Sequence, residues 1–192
     1  TEKNLHHPVR AIVVNSGMAN ACTGARGLAD ALYTTEIAAR KLNIRKEEVL
    51  VASTGVIGVY LPLEKISHGV ARAAQRLSPR GGAEAARAIL TTDTCSKESA
   101  CRVVAGEKSF CLGGMAKGAG MICPDMATML AFLATDVQIK RETLQKALNE
   151  AVKYSFNLIT VDGDTSTNDQ VLLLANGASG LEIEEGSPLW GP

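Results

Sequence analysis

The stretch Lys117–Asp136 (KGAGMICPDMATMLAFLATD) holds the residues best suited to chemistry. A lysine and two glycines lead through Pro124 to Ala127-Thr128, and an apolar run begins at once. A threonine hydroxyl at the mouth of a buried strand, directly after a small residue, can attack the carbonyl of the peptide bond before it. That step gives an ester, which water opens to leave a threonine with a free α-amine. Such an amine titrates near about 8, so it can act as general base for its own hydroxyl close to neutral pH. β-Branched residues also open strands for reasons of propensity alone, and spacing by itself does not separate the two readings.

Three further stretches are punctuated by glycine: NSGMANACTG (Asn15–Gly24), STGVIG (Ser53–Gly58) and VDGDTSTND (Val161–Asp169), beside GGMAKGAGM (Gly113–Met121). Dense glycine lets backbone amides approach a ligand or an oxyanion, and it equally makes tight turns. Two phosphate-binding patterns fail. Lys117 is followed by Gly118 where a P-loop needs Ser or Thr, and Gly118-Ala119-Gly120 has no third glycine at dinucleotide spacing. Calcium binding by an EF-hand loop starting at Asp162 fails too, since its glycine and glutamate places hold Thr167 and Leu173. Asp162, Asp164 and Asp169 therefore read as turn and cap formers. Five cysteines (Cys22, Cys95, Cys101, Cys111, Cys123) contain no CxxC pair and read as free, buried thiols. His6, His7 and His68 do not accompany paired cysteines at zinc spacing, and no metal site is expected.

These segments need elements to hold them. Ala11–Val14 and Val49–Ala52 read as buried strands, with further strands at Cys101–Ala105, Phe110–Met115, Met129–Thr135, Leu158–Val161 and Val171–Ala175. Helical spacing recurs in Leu28, Leu32, Thr35, Ala39 and Leu42, and again in Leu63, Ile66, Val70, Ala73 and Leu77. The clearest helix carries Leu144, Ala147, Leu148, Ala151 and Val152 on one face. Arg80–Gly82 reads as a turn between helices. Strands mixed with helices argue for sheets covered by helices, but whether the strands run parallel or antiparallel stays open.

The chain has 192 residues, 46% apolar and 21% charged, with twenty basic residues against twenty acidic ones. A neutral chain with only 4% aromatic residues lacks the basic stripe and stacking platforms of a nucleic-acid binder. No apolar run reaches a membrane span, and TEKNLHHPVR lacks the order of a signal peptide, so the expected compartment is the cytoplasm.

NSGMANACTG, ASTGVIG, the TTD of Thr91–Asp93, GGMAKGAGM, the MATML of Met126–Leu130 and DGDTSTNDQVLLLANGASG (Asp162–Gly180) come in this order. In these six motifs the chain resembles the ornithine acetyltransferase (glutamate N-acetyltransferase) family of arginine biosynthesis. The resemblance implies self-cleavage between Ala127 and Thr128, giving an α-chain part (1–127) and the start of a β-chain (128–192), all within one domain. It implies that Thr128 is the nucleophile and that Thr54 and Gly55 form the oxyanion hole, where one donor is worth about 3–4 kcal/mol. Lys117 and Thr91, with Thr128, are implied to bind substrate, an ammonium at Lys117 suiting an amino-acid carboxylate. The implied reaction is ping-pong: N-acetylornithine acetylates Thr128, and glutamate then takes the acetyl group. No metal or cofactor is implied, although some members accept acetyl-CoA.

The implied fold is an α/β (α+β) layered sandwich, two β-sheets between helical layers. Family chains are about twice as long, so a substrate-binding glutamate and the terminal residues of the pocket would come from portions this chain lacks. Residues 1–192 then make the central portion of one domain, which alone is expected to be inactive and to work as a hetero-oligomer of processed chains. The competing readings are an autoprocessing aminopeptidase or amidase, in which water collects the acyl group, and a truncated non-catalytic fragment that needs a complementary chain.

Overall fold

The computed structural model describes residues 1–122 and 129–187. The chain divides into two compact units, Thr1–Asp93 and Thr94–Pro192. In the first, strand β1 (Ala11–Met18) leads through helix α1 (Gly24–Leu42) to strand β2 (Val49–Val56), and the two strands pair in parallel from Ala11↔Val49 to Gly17↔Gly55. Parallel neighbours need a crossover, and α1 supplies it. Helix α2 (Leu63–Gln75) packs on α1, and α3 (Gly82–Ala88) follows. Asn43 closes α1 in the left-handed conformation (φ 53°), and the N–H of Ile44 returns to the Ala39 carbonyl at 3.0 Å. Ala38, Ala39 and Val49 form the core of this unit, packed by Ala11, Val13, Ile44 and Val70.

The second unit holds a four-stranded sheet in the order β3-β4-β5-β7. Strands β3 (Lys97–Ala105) and β4 (Lys108–Lys117) make a hairpin around the two residues Gly106 and Glu107. Strand β5 (Leu130–Thr135) pairs antiparallel with β4 and parallel with β7 (Gln170–Ala175). The parallel crossover from β5 to β7 contains helix α4 (Arg141–Lys153). A small parallel pair, β6 (Gln138–Ile139) and β8 (Glu182–Ile183), carries the cluster of Val137, Leu181 and Ile183. Central β5 is apolar at consecutive positions because it is covered on both faces: Leu130, Ala131 and Phe132 are all buried. The fold class is the expected mixture of sheets and helices, with both parallel and antiparallel pairing.

Some expectations are corrected. Leu158–Val161 is no strand: Phe156–Leu158 is a 3-10 turn, and the Val161 N–H donates to the Ile122 carbonyl at 2.8 Å. Leu28 and Leu32 lie exposed, whereas Asp30, Thr34 and Thr35 are on the buried side of α1. The hydroxyls of Thr34 and Thr35 donate to the carbonyls of Asp30 and Leu32 in their own helix, which is how they enter an interior at low cost. Cys22, Cys95, Cys101 and Cys111 are free but exposed, not buried, while Cys123 lies outside the described residues. Among the described residues no helix is long and apolar enough to cross a membrane.

Candidate active site

Thr54 and Gly55 stand near the C-terminal end of β2, beside the matching end of β1. Ends of parallel strands are where open α/β sheets take their ligands. The side chain of Thr54 is fully buried, 1% exposed, so its hydroxyl is held in a defined place. Gly55 faces Gly17 across the pair, and a Cβ built on Gly55 would come 2.2 Å from the Gly17 carbonyl carbon. Only a glycine at position 55 can pass the Gly17 backbone so closely. Side chains brace the same end: the Ser53 hydroxyl donates to Asn15 Oδ1 at 2.6 Å, and Asn15 Nδ2 donates to the Met18 carbonyl at 2.8 Å. Beyond the strands the ties continue, Ala19 N–H to the Val56 carbonyl and Gly58 N–H to the Ala21 carbonyl, each at 2.9 Å. The NSGMAN and STGVIG motifs are thus one braced loop pair. Thr91 is exposed, just beyond α3 in the same unit.

In the second unit the sheet brings a separate set of the candidate residues together. Lys117 ends β4, opposite Leu130 of β5, which is opposite Gln170 of β7. Lys117 is only 2% exposed, so it is not the solvated surface lysine that its type alone would suggest. One step along the chain lie Met129 and Asp169. The Met129 N–H donates to Asp169 Oδ1 at 2.8 Å, and the Gln170 N–H donates to the Met129 carbonyl at 3.0 Å. Burial pushes the Asp169 carboxyl above its ordinary range, against the Met129 N–H, the Ser166 hydroxyl and the Lys117 charge, which all favour the anion. Ala127 and Thr128, the predicted scission site and nucleophile, lie outside the described residues.

Asp162 was legible only as a turn former. In the fold both its oxygens accept backbone N–H groups forty residues away, Met121 to Oδ2 at 2.7 Å and Ile122 to Oδ1 at 2.8 Å. Those two N–H groups hold its carboxyl below the usual carboxylate range. A carboxyl lowered on folding contributes stability that is present above the ordinary value, about 3.9, and is lost as pH falls through the lowered one. Protection of the Met121 and Ile122 amides, corrected for intrinsic exchange, is therefore expected to hold at pH 5 and above and to drop in stronger acid. Asp162→Asn is expected to flatten that acid response. Asp169, shifted upward, makes the opposite contribution. Among the described residues no group of three or more His, Cys, Asp or Glu is arranged to hold a metal ion.

Comparison with known proteins bears on this arrangement. The ArgJ family model matches residues 1–189. The arginine biosynthesis bifunctional protein ArgJ of Symbiobacterium thermophilum is 56% identical over 172 residues, which is 90% of this chain and 43% of that protein. The protein of the same name from Bacillus subtilis strain 168 is 48% identical over 193 residues, 99% of this chain and 47% of that protein. The chain thus spans less than half the length of these relatives. Among solved structures, the bifunctional protein argJ of Bacillus halodurans aligns with TM-score 0.55 and 43% identity over 60% of this chain and 61% of that one. The ornithine acetyltransferase of Mycobacterium tuberculosis, complexed with ornithine, aligns with TM-score 0.52 and 40% identity over 59% of this chain and 61% of that one.

Proposed function

Because this chain belongs to the ArgJ family, we propose that it forms the central part of an acetyltransferase that moves the acetyl group of N-acetylornithine to glutamate in arginine biosynthesis. The observation that carries the reading is the family match across residues 1–189, which takes in all six motifs. The mechanism we infer begins with self-scission. Thr128 Oγ attacks the Ala127 carbonyl, its proton passes to the departing amide nitrogen, and an ester replaces the peptide bond. Water then splits the ester, leaving an Ala127 carboxylate and Thr128 with a free α-amine.

In turnover that amine takes the hydroxyl proton as Oγ attacks the acetyl carbonyl of N-acetylornithine. The tetrahedral oxyanion sits on the Thr54 hydroxyl and the Gly55 N–H, ornithine leaves with the proton, and an acetyl-threonine ester remains. The amino group of glutamate attacks that ester by the same route, giving N-acetylglutamate and free Thr128. Lys117 supplies the positive charge for an amino-acid carboxylate. Its burial supports such a role, since an ammonium in a low-dielectric setting attracts an anion far more strongly than one in water. Thr91 is a further substrate contact in this reading. The chemistry asks for no metal or cofactor, acetyl-CoA serves at most as an alternative acetyl donor, and the working compartment is the cytoplasm. The active form joins the two processed chains with residues that the longer relatives carry.

The test has two parts. Intact-mass measurement of this chain over days is expected to resolve two pieces meeting at Thr128, and a full-length family member carrying these residues is expected to hand acetyl to glutamate. Acetate appearing instead, with glutamate ignored, would identify an amidase. In the same full-length protein Thr54→Val keeps the shape and removes one oxyanion donor. Its acetyl transfer is expected to fall about 10²–10³-fold in kcat, with Thr54→Ser keeping most of the activity.

A further inference from the structure

We propose that the outer edge of β3 is an interaction surface whose occupant is β3 of a second copy of this chain, paired antiparallel about a two-fold axis at Ala100. Among the described residues the four-stranded sheet ends at β3 on one side and at β7 on the other. The two ends differ. Strand β7 has six residues, all buried or half-buried. Strand β3 runs for nine residues, and seven of the eight from Lys97 to Val104 are exposed. An outermost strand turns part of its backbone N–H and C=O groups away from the sheet, where another strand can take them. Proteins blunt such edges by keeping them short, or with proline or a bulge. β3 uses none of these: it is long, it contains no proline, and its register with β4 runs unshifted from Lys97↔Ala116 to Ala105↔Lys108.

Charge is the other common device against pairing, and here its pattern favours pairing with itself. Glu98, Ala100 and Arg102 alternate along one face of β3. The Arg102 guanidinium is steadied by a neutral partner, donating to the Ser109 hydroxyl from Nε at 2.9 Å and from Nη2 at 2.8 Å. Neither Arg102 nor Glu98 is in an ion pair among the described residues. In an antiparallel pair, residues directly opposite share a face, with Cβ atoms about 4.5–5.5 Å apart. A two-fold at Ala100 sets Glu98 opposite Arg102 of the second copy, and Arg102 opposite its Glu98. Two ion pairs then flank the axis. The neighbouring symmetric registers lose both. Centring on Ser99 sets Glu98 opposite Ala100 and Arg102 opposite Ser96, and centring on Cys101 sets Glu98 opposite Val104 and Arg102 opposite Ala100. The union joins two four-stranded sheets edge to edge, with backbone hydrogen bonds for affinity and the charges for register.

Sedimentation velocity of this chain over a dilution series reads the association, and non-reducing gels with peptide mapping read the register. The native chain is expected to dimerise at micromolar concentration. Glu98→Arg and Arg102→Glu each set like charges across the axis, and each is expected to weaken the dimer about 10-fold. Combining the two restores opposite charges and is expected to recover most of the loss. The Ala100 register also sets Ser99 opposite Cys101 of the second copy, at a Cα separation that a disulfide spans. Ser99→Cys is therefore expected to cross-link position 99 of one copy to Cys101 of the other under mild oxidation. This readout reverses no charge, so it decides the matter even where a charge variant folds poorly. A native chain that stays monomeric overturns the proposal and leaves the edge to a different strand. A dimer indifferent to both charge reversals overturns it too, as does a Ser99→Cys dimer without the 99-to-101 linkage or a native dimer that links Cys101 to Cys101.

Discussion

Thr128→Ala is expected to stay in one piece indefinitely and, in a full-length family member, to lose acetyl exchange by about 10⁴–10⁶-fold, the scale on which an acyl-transfer enzyme suffers when its nucleophile is removed. The two losses have one origin. Without Oγ nothing attacks the Ala127 carbonyl, so the peptide bond stands, and an amide in water does not open on a laboratory timescale. Because the bond stands, no α-amine is released, so the general base is missing as well as the nucleophile. Thr128→Ser separates these. It retains a hydroxyl, so it is expected to cut and to transfer acetyl, more slowly because the methyl group that restricts χ1 is gone. Intact mass reports the scission and transfer of labelled acetyl to glutamate reports the turnover. An alanine variant that still cuts, or that still exchanges acetyl, would remove Thr128 from the mechanism.

How much of this was legible in the sequence depends on the range of the interaction. Period and composition located β1, β2, β3, β4, β5 and β7 and the long helices, because burial on one face or both writes itself into neighbouring residues. The same signal misled where apolar residues stay outside. Leu158, Ile159 and Val161 look like a strand, yet they are 68%, 48% and 62% exposed, and the backbone there serves the Ile122 carbonyl instead of a sheet ladder. In α1 the exposed Leu28 and Leu32 carried the helical rhythm while small and hydroxyl residues did the packing. Of the site, the Thr-Gly pair and the lysine stood in recognisable motifs. The roles of Asp162 and Asp169 did not, since their partners lie about forty residues upstream and no spacing rule connects a carboxylate to an N–H at that distance. A turn-forming Asp and one that accepts backbone N–H groups from a distant segment look alike until the chain is folded.

Gly55→Ala is expected to destabilise the first unit severely for the addition of a single methyl group. Two costs add. The residue has φ +129°, a conformation L side chains rarely adopt, and such strain costs about 1–3 kcal/mol. The new Cβ would also sit 2.2 Å from the Gly17 carbonyl carbon and 2.4 Å from its oxygen, both backbone, so no side chain can swing aside. Relief must come from prying β1 from β2 at its braced end, and overpacking of this kind typically costs about 1–3 kcal/mol. Together these take a large part of the 5–15 kcal/mol that holds a typical domain folded. They correspond to at least about 10 °C in Tm for a unit of this size. Gly17→Ala carries the first cost without the second. Its φ is +112°, so the backbone strain is similar, but nothing lies within 4 Å of the added carbon. It is expected to lose about 1–3 kcal/mol from strain alone. Urea unfolding of the two variants side by side measures the difference. A Gly55→Ala loss no greater than that of Gly17→Ala would mean that the two strands do not pass each other as closely at these glycines as the 2.2 Å approach implies.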